Sequence, residues 1–139
     1  GEDELVTRLK RRNCIGMVAE RYNDRGDMIV GYMMYELYRD HLRLSDFAAH
    51  PDNRRLGVGR GLVEKLVYKL CSHRRGFIVV DVPEELTAAL LFFRATGFVA
   101  AECVSGAVRM RYTPTAAEWE KWNAGPPPVN RVLPFLMES

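Results

Sequence analysis

One run of glycines and arginines, Arg54-Arg55-Leu56-Gly57-Val58-Gly59-Arg60-Gly61, stands between a segment of strand composition and the clearest helical pattern in the chain. Glycines let the backbone approach a ligand closely and turn successive N–H groups toward it, and a helix that starts there adds the positive end of its dipole. Such a turn is suited to a phosphate or pyrophosphate. The bland alternative is that the glycines only relieve crowding at a helix start while the arginines are solvated. Against it stand the strand before the turn, the amphipathic helix after it, and three Arg within the segment.

The elements around the turn follow from apolar spacing. Leu62, Val63, Leu66, Val67 and Leu70 form one helical stripe opposite Arg60, Glu64, Lys65 and Lys69, which predicts a helix near 58 to 72. Upstream, Leu5, Val6 and Leu9 predict a short helix over 3 to 12. Cys14 to Tyr22, Met28 to Tyr38 and Leu42 to Ala49 read as three strands joined by turn-like segments, hence an antiparallel meander. Phe77 to Val82 is a short apolar run closed by Pro83, the pattern of a strand buried on both faces and parallel to a neighbour. A second helix carries Leu86, Ala89, Leu90 and Phe93, with Gly97 at the place of a left-handed cap. Phe98 to Cys103 and Ala107 to Tyr112 form a closing hairpin.

Residues 1 to 113 thus read as one α+β domain with a parallel pair of strands at its centre. Residues 114 to 139 are a tail. Thr115 and Glu118 make a capping box for a short helix bearing Trp119 and Trp122, Gly125-Pro126-Pro127-Pro128 stops it, and the apolar stretch from Val129 to Met137 should dock. No internal repeat is present.

Composition narrows the class. With 20 basic and 18 acidic residues among 139, the balance is too even for bulk attraction to nucleic acid or a membrane surface, so neither is expected as a partner. Cys14, Cys71 and Cys103 are an odd number without a C-x-x-C pair, and His41, His50 and His73 lack ligand spacing, so reduced thiols and no metal are expected. No apolar run approaches the roughly 20 residues of a membrane span, and the acidic start (Glu2, Asp3, Glu4) is unlike a secretory signal. The chain reads as cytoplasmic.

The phosphate ligand can be narrowed by what the turn lacks. The P-loop pattern G-x-x-x-x-G-K-[ST] is absent. A dinucleotide pattern G-x-G-x-x-G fails at Leu62, although Asp81 lies where a ribose-binding acid would, and seven residues separate the glycines from a strand that ends a meander. A different pattern fits. Leu44-Ser45-Asp46-Phe47-Ala48-Ala49-His50-Pro51, followed by Arg54-Arg55-Leu56-Gly57-Val58-Gly59, resembles motif A of the GNAT superfamily of acetyl-CoA-dependent N-acetyltransferases, with its [QR]-x-x-G-x-[GA] signature. Leu90 to Phe98 resembles the motif B helix that ends in Gly-Phe, and the flavour is closest to the branch that acetylates alanine on ribosomal proteins.

The resemblance covers about residues 5 to 112 and implies an α/β/α-layered, α+β mixed sheet splayed between the Leu42 to Ala49 and Phe77 to Val82 strands. It implies acetyl-CoA as cofactor and a primary amine, a peptide N-terminus or a small amine, as acceptor. Backbone groups at Phe47, Ala48 and Ala49 would bind the pantetheine and acetyl carbonyl, and those of Arg54, Arg55, Leu56, Gly57, Val58, Gly59 and Arg60 the pyrophosphate. Asp81 falls at the base position, one methylene shorter than the usual Glu, with Asp46 and Glu36 as second choices. Phe93 stands where the family has a Tyr that protonates the leaving thiolate, and Leu86 where it has an Asn. Tyr112, Tyr35 or Tyr38 would have to substitute, or the scaffold serves as a CoA-binding or interaction module. Family members also carry a strand and a helix before the helix at 3 to 12, and the resemblance implies that both are missing here. The tail is expected to cover the surface so exposed by exchange in a homodimer, with docking on its own chain as the alternative.

Overall fold

The computed structural model describes residues 13–23, 26–49, 57–123 and 132–136; the expected helix at 3 to 12 lies outside them. Among the described residues, seven strands form one sheet. The meander is β1 (Cys14–Asn23), β2 (Gly26–Leu37) and β3 (His41–Ala49), antiparallel as expected. Helix α1 (Val58–Ser72) then crosses over to β4 (Phe77–Pro83), which lies parallel to β3. Helix α2 (Thr87–Ala95) leads into the hairpin of β5 (Val99–Val104) and β6 (Ala107–Tyr112), with β6 antiparallel to β4.

One face of the sheet carries the main core. Leu62, Leu66 and Leu70 of α1 are fully buried and cluster with Leu42 and Leu44 of β3 and Ile78 and Val80 of β4. Alternation along β4 sends Ile78, Val80 and Val82 into this core and leaves Phe77, Val79 and Asp81 on the opposite face, only partly buried. The expectation of a strand buried on both faces is therefore corrected. Asp81 stands near the end of the apolar run, and its charge is met on the second face by other charges.

Helix α2 ends as its sequence implies. Gly97 has φ +110°, its N–H bonds to the carbonyl of Arg94, and Phe98 N–H bonds to that of Phe93, the paired bonds of a Schellman cap. The Phe93 and Phe98 rings meet edge to face at 5.2 Å and complete it. The capping box is present too: Glu118 N–H donates to Thr115 Oγ1 at 3.2 Å and Thr115 N–H to Glu118 Oε1 at 3.0 Å, starting helix α3 (Ala116–Asn123).

The tail docks as a strand. β7 (Val132–Leu136) pairs antiparallel with β1 of its own chain, Gly16 opposite Leu136 and Ala19 opposite Val132, the arrangement expected as the alternative to exchange in a homodimer, and the sheet order is β5-β6-β4-β3-β2-β1-β7.

Candidate active site

β3 and β4 are paired for four residues only, His41 to Leu44 against Phe77 to Val80. Beyond that rung each strand stays bonded to its other neighbour. Phe47, Ala48 and Ala49 face Met33, Tyr32 and Gly31 on β2, while Asp81, Val82 and Pro83 face Arg109, Val108 and Ala107 on β6. The register shift in β2–β3 between Met34 and Tyr35 lies at the same level and bends β3 away. The result is a V whose inner edge on β3, residues 45–49, presents backbone groups that no β4 residue takes up.

The N-terminus of α1 stands above this V. Its N-cap is Gly57 in the left-handed region at φ +76°, with no side-chain capping bond and no acidic residue in the first turn. A Cβ built on Gly57 would meet no atom of the described residues within 4 Å. The first bond of the helix runs from Gly61 N–H to Gly57 C=O, so the amides of Val58, Gly59 and Arg60 precede the intrahelical ladder. An uncapped, uncompensated helix start beside a free strand edge suits a phosphate group on an extended chain. Gly59 has a separate reason to be glycine: its Cβ would lie 3.0 Å from Phe92 Cζ. The helix entry therefore does not tolerate a larger residue at both positions alike.

Phe92 belongs to an aromatic group at the same level. Its ring lies 5.4 Å from Phe47 and 5.2 Å from Phe93, and Phe93 lies 5.5 Å from Phe47. Phe93 is buried, and no hydroxyl stands at its place.

Asp81 is the first β4 residue past the last rung and is held by two arginines. Arg109 Nε donates to Oδ1 at 2.8 Å and Arg109 Nη2 to Oδ2 at 3.0 Å, a two-pronged contact, and Arg43 Nη2 donates to Oδ2 at 2.8 Å. The Arg109 hydrogen bonds, with the Arg43 charge behind them, hold the Asp81 carboxyl below its usual range, and partial burial opposes them. The ladder extends outward: Arg109 Nη1 also donates to Glu102 at 3.1 Å, and Arg43 Nε lies 3.8 Å from Glu36. One row of alternating charge thus crosses β5, β6, β4, β3 and β2.

A second row runs beside it. The Arg111 guanidinium lies 3.6 Å above the Phe77 ring, Phe77 stacks on His41 at 4.9 Å, and His41 stacks on Tyr38 at 4.8 Å.

Of the residues singled out from sequence, Phe47, Ala48, Ala49, Gly57, Val58, Gly59, Arg60 and Asp81 lie at the V or at the helix start above it. Arg54, Arg55 and Leu56 lie outside the described residues. Sequence reasoning missed Arg43 and Arg109. The signal was indirect, since on β6 Arg109 and Arg111 share a face, but only the register of β4 with β6 makes Asp81 their neighbour.

A model of the acetyltransferase (GNAT) family matches residues 2–98, more than half of the sequence. The chain belongs to that family. Its fold is similar to that of the ribosomal-protein-S18-alanine N-acetyltransferase from Escherichia coli, at 20% identity and TM-score 0.67 over 81% of this chain and 76% of that one. It is similar also to the PaiA N-acetyltransferase from Thermoplasma acidophilum in complex with coenzyme A (11%, TM-score 0.70, 82% and 72%) and to Tetrahymena GCN5 (13%, TM-score 0.65, 81% and 76%). At these identities the likeness is one of fold. No curated protein sequence matches.

Proposed function

We propose that this chain is an acetyl-CoA-dependent N-acetyltransferase that moves an acetyl group to a primary amine, a peptide N-terminus or a small amine. The observation that carries the reading is the parting of β3 from β4 directly below the open N-terminus of α1. Bound acetyl-CoA supplies an activated acetyl thioester. The free edge of Phe47, Ala48 and Ala49 would hold the pantetheine arm by backbone hydrogen bonds, and the amides of Gly57, Val58, Gly59 and Arg60 at the helix start would hold the pyrophosphate. Phe47 and Phe92 exclude water on the helix side.

Asp81 serves this reaction as an orienting acceptor more than as a strong base. Its carboxylate has about four lone-pair sites, of which the two arginines take three, so capacity remains on Oδ1 for an amine N–H. A carboxylate kept this acidic takes a proton poorly near neutral pH, so the amine's proton leaves through water.

One observation favours a second reading, a CoA-binding module with little turnover: Phe93 offers no proton to a departing thiolate, and it is packed among rings. Thiol release from acetyl-CoA, measured with peptides bearing N-terminal Ala or Ser and with polyamines and aminoglycosides, separates the two. Release with at least one amine supports the enzyme. CoA binding by calorimetry without release on any amine supports the module, and absence of binding overturns both.

A further inference from the structure

The V opens where β3 and β4 end; where the two strands begin, at the other end of the sheet, the loop that carries Tyr38, Arg39 and Asp40 meets the loop from His73 to Gly76. Gly76 N–H donates to the Asp40 carbonyl at 2.7 Å, and Arg75 Nε donates to the Tyr38 carbonyl at 2.7 Å. Segments far apart in the chain are thus locked side by side.

The junction gathers positive charge. Arg39 and Arg74 are exposed on the two loops, Arg75 is partly exposed between them, and the exposed Arg111 reaches in from β6 over Phe77 at the start of β4. None of the four makes an ion pair among the described residues. The acid of the first loop, Asp40, is engaged by His41 Nδ1 at 2.7 Å. Guanidinium groups left without a carboxylate suit phosphate oxygens, which each can meet two at a time. The near-even balance of 20 basic and 18 acidic residues over the whole chain gave no reason to expect a nucleic acid, and the fold creates locally what that total conceals.

The same place holds an aromatic column. Phe77 lies between the Arg111 guanidinium and the His41 ring, and His41 lies between Phe77 and Tyr38, with ring planes only 2° and 8° apart. Tyr38 is the last member. Its hydroxyl donates to Glu36 Oε1 at 3.4 Å, no ring or cation of the described residues stacks on it besides His41, and it stays 39% exposed. A flat group laid on Tyr38 would lengthen the column by one ring beside Arg39 and Arg75. An acidic peptide or a sulfated polysaccharide would use the cations alone; a phosphate backbone that carries bases uses both features.

We propose that this end of the sheet binds single-stranded nucleic acid, with one base stacked on Tyr38 and the neighbouring phosphates held by Arg39, Arg74, Arg75 and Arg111. The site is remote from the V, so the inference stands apart from the acetyltransferase reading.

The test titrates the full chain into a fluorescently labelled oligoadenylate of about ten nucleotides and follows anisotropy, with polyglutamate and heparin as base-free competitors. The logarithm of the affinity should fall against the logarithm of salt with a slope of about −2 to −3, as three or four phosphate contacts require. Arg39→Ala combined with Arg74→Ala should flatten that slope by about 1 at an unchanged melting temperature; alanine at 74 replaces one non-glycine residue by another at a φ of 55°. Tyr38→Leu should weaken binding about tenfold, whereas Tyr38→Phe, which keeps the ring and loses the Glu36 bond, should bind as the parent does. No binding by the parent, or a slope that the two arginine changes leave alone, overturns the proposal. Parent-like binding by Tyr38→Leu, or displacement by polyglutamate or heparin as effective as by unlabelled oligoadenylate, overturns it too and assigns the patch to a polyanion without bases.

Discussion

The two halves of the β3–β4 pair differ in almost every respect that matters to the molecule. In the paired half, Leu42, Leu44, Ile78 and Val80 are buried under α1, and every rung is bonded. In the parted half, Ser45 to Ala49 and Asp81 to Pro83 keep only their outer neighbours, and Ser, Asp, Phe and two Ala follow the two leucines along β3. The difference teaches that stability and chemistry are drawn from adjacent stretches of the same strands. Backbone groups withheld from the sheet are the ones left available to a ligand.

The largest test of this division strikes the paired half. Leu66→Ala, at a fully buried position of α1, should cost about 2 to 5 kcal/mol in chemical denaturation. A loss below about 1 kcal/mol would show that the core under the rungs is not where the stability resides.

Next is the charge clamp at the boundary. Arg109→Leu leaves Asp81 with Arg43 alone and should lower stability at pH 7, read as an earlier midpoint in chemical denaturation. The sign with pH follows from the direction of the shift. Asp81 has a lowered folded pKa, so its contribution is present above the unfolded value of about 3.9 and disappears as pH falls through the folded one. The variant should therefore lose stability relative to the parent at neutral pH and converge with it in acid. Parallel stability curves from pH 7 to pH 2 would refute the clamp.

Changes above the V should separate the halves most cleanly. Gly57→Val forces a branched residue into the left-handed region at a cost of about 1 to 2 kcal/mol, leaves the core folded, and should weaken CoA binding tenfold or more. Gly59→Val meets Phe92 and should destabilise the helix entry by about 1 to 3 kcal/mol as well as weaken binding. Calorimetry beside thermal unfolding distinguishes the two. The smallest effect is expected at Thr115→Ala, which removes one cap of α3 for about 1 kcal/mol and should leave the V untouched, read as a lower melting temperature with unchanged thiol release.

Much of this was legible from the chain because local chemistry wrote it. Gly97 and Phe98 specify the Schellman cap, Thr115 and Glu118 the capping box, and the stripe from Leu62 to Leu70 the core face of α1. These signals span a few residues. The clamp was not legible, because Arg43 and Arg109 lie 38 and 28 positions from Asp81 and only strand register joins them. Asp81 could thus be placed at the candidate site from sequence while its reduced basicity could not. The tail was expected to dock, but the Pro134 in its middle gave no reason to expect a strand, since proline donates nothing to a ladder; it is admitted at the outermost position of the sheet.

The row of charges running from Glu102 through Asp81 to Glu36 has a mechanical meaning. A sheet whose central strands separate at one end is like a plate with a crack started at its rim, and each further rung that opens would lengthen the lever that pries at the next. Arg43, one residue below the last rung, grips Asp81, one residue above it, at the tip of that crack. Arg109 ties the same carboxylate back to the intact side. The clamp acts as a rivet: it lets the strands stay apart at their open end while stopping the separation from running down into the core.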